Sequence, residues 1–341
     1  MAEAGEVKAV LDARAGDARA KAQRTLAIRS AIALVGFIIL VTIVNTLTHG
    51  DFLTVSNITN VLRQITFNSI AAVGQTFVII TAGIDLSVGS LMGLTGVVMA
   101  LFANAFPLDN GVLLVVATVI VGVAVGCAAG LINALPVVKF GLPPFITTLA
   151  MLQIARGLAY ILAHGQPISV NSNAFAVLGT GQFLGRVPWS ILVMVVIVAI
   201  FSIVLTRTRY GRYVFALGGN EEAARLAGIN VARTKTLVYV ISGGCAAVAG
   251  LLLMARFASG SPSTGTGYEL QAIAAVVVGG TSLTGGRGSV IGTFFGALLI
   301  GVLNNVMNLI NIESYTQQIV LGVVILLAVI LDQLRRRYLA R

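Results

Sequence analysis

The sequence is poor in charge. Only 10% of its 341 residues are Asp, Glu, Lys or Arg, where a water-soluble domain carries about a quarter. Too few charges remain to cover a soluble body of this size. Histidine is nearly absent, with His49 and His164 alone, and no cluster of His and acids offers ligands to a metal or bases to a hydrolytic centre. Cysteine is limited to Cys127 and Cys245, both in apolar runs, which excludes a disulfide framework. The phosphate-loop pattern G-x-x-x-x-G-K-[ST] does not occur, so an ATP site of that kind is excluded. No small-residue cleavage motif follows the first apolar run, which therefore reads as a retained span.

What is present is apolar. Hydrophobic residues make up 57% of the chain and the mean hydropathy is +0.97. Runs of about 20 apolar residues recur, the length at which a helix crosses a bilayer. The fold class is therefore an all-α polytopic membrane protein with about ten spans, some of them short or broken. They are placed at 27–48, 66–82, 86–105, 112–134, 145–163, 189–206, 236–257, 270–281, 290–310 and 316–334. The expected organisation is a tail at 1–26, one transmembrane domain at 27–334 and a second tail at 335–341. Net charge is +10, and it gathers between spans. Lys8, Arg14, Arg19, Lys21, Arg24 and Arg29 precede the first span, and RRRYLAR closes the chain. Basic loops stay on the cytoplasmic side, so both termini and the segment 207–235 are expected there, without any role for nucleic acid. Arg207, Arg209 and Arg212 read equally as lipid-headgroup anchors.

Two stretches interrupt the apolar pattern. The first is TAGIDLSVGS at 81–90, where Asp85 is the single charge in a long apolar region. Gly83 is expected to take a left-handed helix end and Asp85 to cap the next helix, with Ser87 as a further cap. Either a capped inner turn or a broken helix lining a pathway accounts for the pattern. The second is the polar segment 207–235. Asn220 is placed to cap a short helix carrying Glu221 and Glu222 in its first turn, and Gly228 to end it. Gly122, Gly126 and Gly130 form a small-residue stripe suited to close helix packing.

The stretch EAARLAG, Glu222 to Gly228, matches the E-A-A-x-x-x-G core of the coupling loop of bacterial ABC importer permeases. YGRYVFALGGNEEAARLAGINVARTK, ITFNSIAAVGQTFVIITAGIDLSVGSL, TGYELQAIAAVVVGGTSLTGGRGSVIGT and LNNVMNLINIESYTQQIVLGVVILLAV resemble the monosaccharide branch of that family, ribose permeases among them. The ending INVARTK departs from the I-x-L-P of maltose-type loops. The resemblance covers nearly all of the chain from about residue 50. It implies a permease of vitamin-B12-importer-like fold in the bacterial inner membrane. It also implies a homodimer served by a cytoplasmic ATPase with two fused cassettes and by a periplasmic sugar-binding protein. ATP and Mg would sit on the ATPase, and this chain would hold no cofactor and perform no covalent chemistry. Glu221, Glu222, Ala223, Arg225 and Gly228 would then serve ATPase docking.

Polar groups inside spans face a cavity or a partner helix. Asn68, Gln75, Asp85, Ser87, Gln153, Asn304, Asn305 and Asn308 are the candidate pathway residues, and interhelical hydrogen bonding is the competing role for each. Asn304 and Asn308 share a helix face. Arg156, mid-span, needs a partner, with Asp85 and Glu269 as alternatives. The loops 49–65, 164–188 and 258–269 are expected to form an outer docking surface. Ribose or a related pentose is the expected cargo, with inositol, other polyols and hexoses as alternatives. A stand-alone secondary transporter is the remaining class, although it leaves the E-A-A-x-x-x-G helix unexplained.

Overall fold

In a computed structural model, the described residues are 43–48, 50–106, 110–170 and 172–339. The expected tail 1–26 and most of the expected span 27–48 lie outside them, as do Asp109 and His49. Of 335–341, only the backbone up to Leu339 is described. The chain divides into two compact units, 1–57 and 58–341. In the first, Asp51–Leu53 forms a 3-10 turn, Asn45 Oδ1 accepts from Leu53 N (3.3 Å), and Asn57 Nδ2 donates to Phe52 O (3.0 Å).

The second unit is a helical bundle. Its helices are α1 (Val55–Ile80, entering from the first unit), α2 (Val88–Ala105), α3 (Gly111–Lys139) and α4 (Pro144–Leu162). After β1 (Ile168–Ser169), α5 (Asn173–Gly179), β2 (Gln182–Phe183) and β3 (Val187–Pro188) come α6 (Trp189–Arg207), α7 (Arg209–Gly219), α8 (Glu221–Leu226) and α9 (Val231–Phe257). The chain closes with β4 (Ser259–Gly260), α10 (Tyr268–Val278), α11 (Val290–Leu309) and α12 (Ser314–Leu339). Among the described residues, α2, α3, α4, α6, α9 and α11 are long and apolar enough to cross a membrane, and α10 is a shorter apolar helix.

The glycine stripe on α3 packs against α9. A side chain at Gly126 would overlap Gly243 O, and one at Gly130 would overlap Tyr239 O. The two backbones therefore approach as closely as small residues allow. This contact, with α2 on the other side of α9, forms the buried centre of the bundle.

The span expected at 270–281 has a different build. Its helix α10 holds only 11 residues, about 16 Å of rise against a hydrocarbon core of about 30 Å. The chain before it, 258–267, is mostly a run of turns, with Thr264 N–H donating to Ser261 O (3.1 Å) and Thr266 N–H to Ser263 O (3.3 Å). It packs against α2: a side chain at Gly260 would press on Gly96 O (2.6 Å), and one at Gly93 on Thr264 O (2.8 Å). One end of this segment is held in register by β1–β4 pairing, Ile168 opposite Gly260. Carbonyls of such a turn that are packed against a helix, away from water, need protein donors. Arg156 of α4 supplies them, with Nη1 donating to Pro262 O (2.5 Å) and Thr264 O (2.8 Å). Asp85 is therefore not the partner of Arg156.

Candidate functional site

Helix α1 ends at a break that turns the chain back into α2. Gly83 N–H donates to Val78 O (3.0 Å) and Ala82 N–H to Ile79 O (2.9 Å), the paired closure of a Schellman end. The left-handed residue is Ala82 (φ 60°), not the expected Gly83. Gly83 is needed for space, because a Cβ there would lie 2.8 Å from the Tyr239 hydroxyl oxygen. The helix cap is also reassigned. Ser87, not Asp85, occupies the N-cap position of α2, and its side chain does not cap the helix.

Asp85 forms a hub. It is 0% exposed. Its Oδ1 accepts from Ser87 N (2.9 Å) and Ser87 Oγ (2.6 Å), the local turn that Asp favours. Its Oδ2 accepts from Ser242 Oγ of α9 (2.7 Å). Asn133 Nδ2 of α3 donates to Ser87 Oγ (2.8 Å). Gln75 faces the Asp85 peptide, with its amide oriented to donate to Asp85 O (3.2 Å) and accept from Asp85 N (3.1 Å). Thr148 of α4 donates to Ile84 O (3.0 Å). The carboxylate thus ties Ser87, at the start of α2, to α9, while Asn133 of α3 joins through Ser87 Oγ and Gln75 of α1 through the Asp85 peptide, all neutral groups. Ser242 lies eleven residues into α9 and Asn133 six from the end of α3. The hub therefore sits about 9–16 Å inside the end of the bundle that bears α8.

At that end, α7 and α8 bracket a short polar elbow. Asn220 Oδ1 accepts from Ala223 N (2.9 Å), as expected of a cap, and Gly228 closes α8 in the left-handed region (φ 80°). Ala224 is buried, whereas Glu222, Ala223, Arg225 and Leu226 are exposed, Leu226 at 90%. Glu221 is turned inward. Its carboxylate takes Lys235 Nζ at 2.6 Å and Arg225 at 3.6 Å, which braces α8 against α9. A cleft of 560 Å³ separates α8 from the α3–α4 turn, with Leu142 and Pro143 on one wall and Glu221 and Arg225 on the other. The last turn of α7 rests on the end of α1: a side chain at Gly218 would overlap Ile80 O, and Gly286 N–H donates to that same oxygen (2.9 Å).

The family model described as branched-chain amino acid transport system / permease component matches residues 57–329. Ribose import permease protein RbsC of Escherichia coli K12 is 45% identical over 303 residues, covering 88% of this chain and 92% of the relative. The protein of that name from Bacillus subtilis 168 is 44% identical, covering 87% and 91%. L-arabinose ABC transporter permease protein AraH of Azospirillum brasilense is 38% identical, covering 90% and 88%. The chain belongs to this permease family. No solved structure matches.

Within this permease the expected pathway residues separate into three groups. Gln75, Asp85 and Ser87 belong to the hub. Asn68 and Asn304 meet at a small cavity between α1, α10 and α11. The others reach neither place. Gln153 is exposed on α4, Asn305 is buried on α11, and Asn308 is exposed and accepts from Gln317 Nε2 (2.7 Å). Asn304 and Asn308 therefore face different surroundings despite sharing a helix face. Sequence reasoning did not single out Asn133, Ser242, Gly218 or Leu226. Asn133, an amide inside the span 112–134, carried the same signal as Asn68, and Leu226 stood out as an apolar residue in a short polar helix; nothing local distinguishes Ser242 or Gly218 from packing residues.

Proposed function

We propose that this permease is the membrane subunit of an ATP-driven importer that moves a monosaccharide, ribose or a related pentose, into the cytoplasm by alternating access. The observation that carries the reading is 44–46% identity to ribose import permeases over at least 91% of their length. The permeases named for L-arabinose and fructose are less similar, at 38–39%, and keep the cargo within sugars. The working unit is a homodimer of vitamin-B12-importer-like subunits with both termini cytoplasmic. A periplasmic binding protein delivers the sugar, and an ATPase with two fused cassettes docks on α8.

The shape of α8 suits that docking. Its base is braced by the Glu221–Lys235 pair, so its exposed Ala223, Arg225 and Leu226 are presented on a fixed element. Movement of the elbow passes to α1 through the Gly218–Ile80 contact, where no side chain is available to yield. From Ile80 it reaches the break at 81–87 and the Asp85 hub, which joins four helices. A displacement made at the ATPase thus arrives inside the bundle as a rigid-body shift of a helix pair.

The test is reconstitution of the permease in proteoliposomes with its ATPase and binding protein, following ATP-dependent uptake of D-ribose, L-arabinose and D-fructose. D-ribose uptake is expected to be the fastest. A gentle detergent pull-down is expected to retain the ATPase in the wild type and lose it in Glu222→Ala and Gly228→Pro, since proline cannot adopt the left-handed conformation. Transport by the permease alone, without ATPase, is the result that excludes the proposal.

A further inference from the structure

The cavity between α1, α10 and α11 measures 80 Å³. Gln64 and Asn68 enter it from one face of α1, Tyr268 and Gln271 from the start of α10, and Asn304 from α11. Four carboxamides and a phenol therefore converge on a space too small for a whole sugar ring but large enough for a hydroxylated edge. Asn68 is only 5% exposed, yet its Oδ1 has no hydrogen-bond partner among the described residues. A buried amide oxygen left unpaired carries its full desolvation penalty, which a ligand hydroxyl would remove. The other four side chains are partly exposed, so the cavity is open to an incoming group.

The placement and the chemistry agree. Asn68 lies twelve residues before Ile80, about 18 Å along α1 and so near the middle of the spanning region. The cavity adjoins the point where the turn segment 258–267 becomes the short helix α10, the kind of helix interruption at which transporters hold cargo. Carboxamides donate and accept, as sugar hydroxyls do. With no charged side chain in the lining, an ionic cargo would be buried without a counter-charge and is disfavoured. We propose that Gln64, Asn68, Tyr268, Gln271 and Asn304 form a hydroxyl-reading subsite for a neutral monosaccharide in transit. The inference rests on the import reading above and names the part of the pathway that touches the cargo.

The experiment uses the assembled importer in proteoliposomes, in a Cys127→Ala, Cys245→Ala background. Asn68→Cys and Asn304→Cys are introduced singly, with Val112→Cys at the exposed start of α3 as the control. The protectant is whichever of D-ribose, L-arabinose and D-fructose the wild type takes up. Both site cysteines are expected to react with a small hydrophilic methanethiosulfonate. Saturating sugar during turnover is expected to slow that reaction at least about threefold by mass action, and the control is not slowed. Asn68→Leu is expected to lower uptake about tenfold without lowering the melting temperature, because the amide it removes is unpaired. Labelling that sugar leaves unchanged at both positions, in an importer whose wild type transports it, overturns the subsite. So does wild-type uptake by Asn68→Leu. A wild type that takes up no monosaccharide refutes the import reading itself and the subsite with it.

Discussion

Two polar clusters lie inside this permease, and they differ in how their hydrogen bonds are satisfied. Around Asp85 both carboxylate oxygens are filled by protein donors at 2.6–2.9 Å, and the group has no exposure to solvent. Around Asn68 five polar side chains line a cavity, and its buried amide oxygen meets no donor among the described residues. The bonded carboxylate holds helices together, although Asn133 Oδ1 beside it is likewise unpaired among the described residues. The Asn68 oxygen carries a desolvation cost at a place where a ligand hydroxyl has room to enter. The lesson is that intramembrane polarity has two roles in one chain, and an unpaired atom beside a polar cavity marks the second where residue type does not.

The largest expected effect breaks the filled cluster. Asp85→Leu removes three accepted hydrogen bonds and strands Ser242 and Ser87. At about 0.6–1.7 kcal/mol per intramembrane bond, the loss is about 3 kcal/mol, read as a lower melting temperature of the detergent-solubilised permease. Asn68→Leu, a change of similar size in the cluster lining the cavity, is expected to leave that temperature unchanged or raise it. Equal destabilisation by the two variants would erase the distinction.

Gly218→Val separates transmission from docking. Its side chain would overlap Ile80 O, so ATP-driven uptake is expected to fall by about tenfold or more, a rate loss of at least ~1.4 kcal/mol, while the ATPase stays bound in a pull-down. Asp85→Asn sharpens the comparison further. The amide can still accept from Ser87 N–H, so the cost is expected to be near 1 kcal/mol, with the fold kept and transport lowered. Wild-type uptake by this variant would leave the hub a purely structural device. The smallest effect belongs to Glu221→Gln. The carboxylate is partly exposed, so its loss is expected to change stability by less than about 0.5 kcal/mol and to loosen ATPase retention only slightly.

The elbow of α7 and α8 was legible in detail because everything in it is local. Asn220 caps α8 three residues upstream of its bonded N–H, and Gly228 closes it, as capping chemistry requires. The TAGIDLSVGS break was legible as a break and misread in its parts. Ala82 took the left-handed position and Ser87 the N-cap, because Gly83 was needed beneath the Tyr239 hydroxyl, a neighbour 156 residues away in sequence. The span at 270–281 was read as a short helix, which it is. The segment 258–267 before it was read as a loop, and it is mostly a run of turns whose packing against α2 no local signal announces.

By itself the sequence determined the membrane class, the placement of most spans, the capped elbow and the kinship to importer permeases. These follow from hydropathy, helix-end chemistry and motif order, all of which act over a few residues to a few turns. Tertiary structure alone decided which polar groups meet. Arg156 serves carbonyls 106 and 108 residues away, and Asp85 is completed by Ser242, 157 residues on. Where lipid and packed protein exclude water, a polar group is stable only beside a partner, and the identity of that partner is a property of the packed bundle.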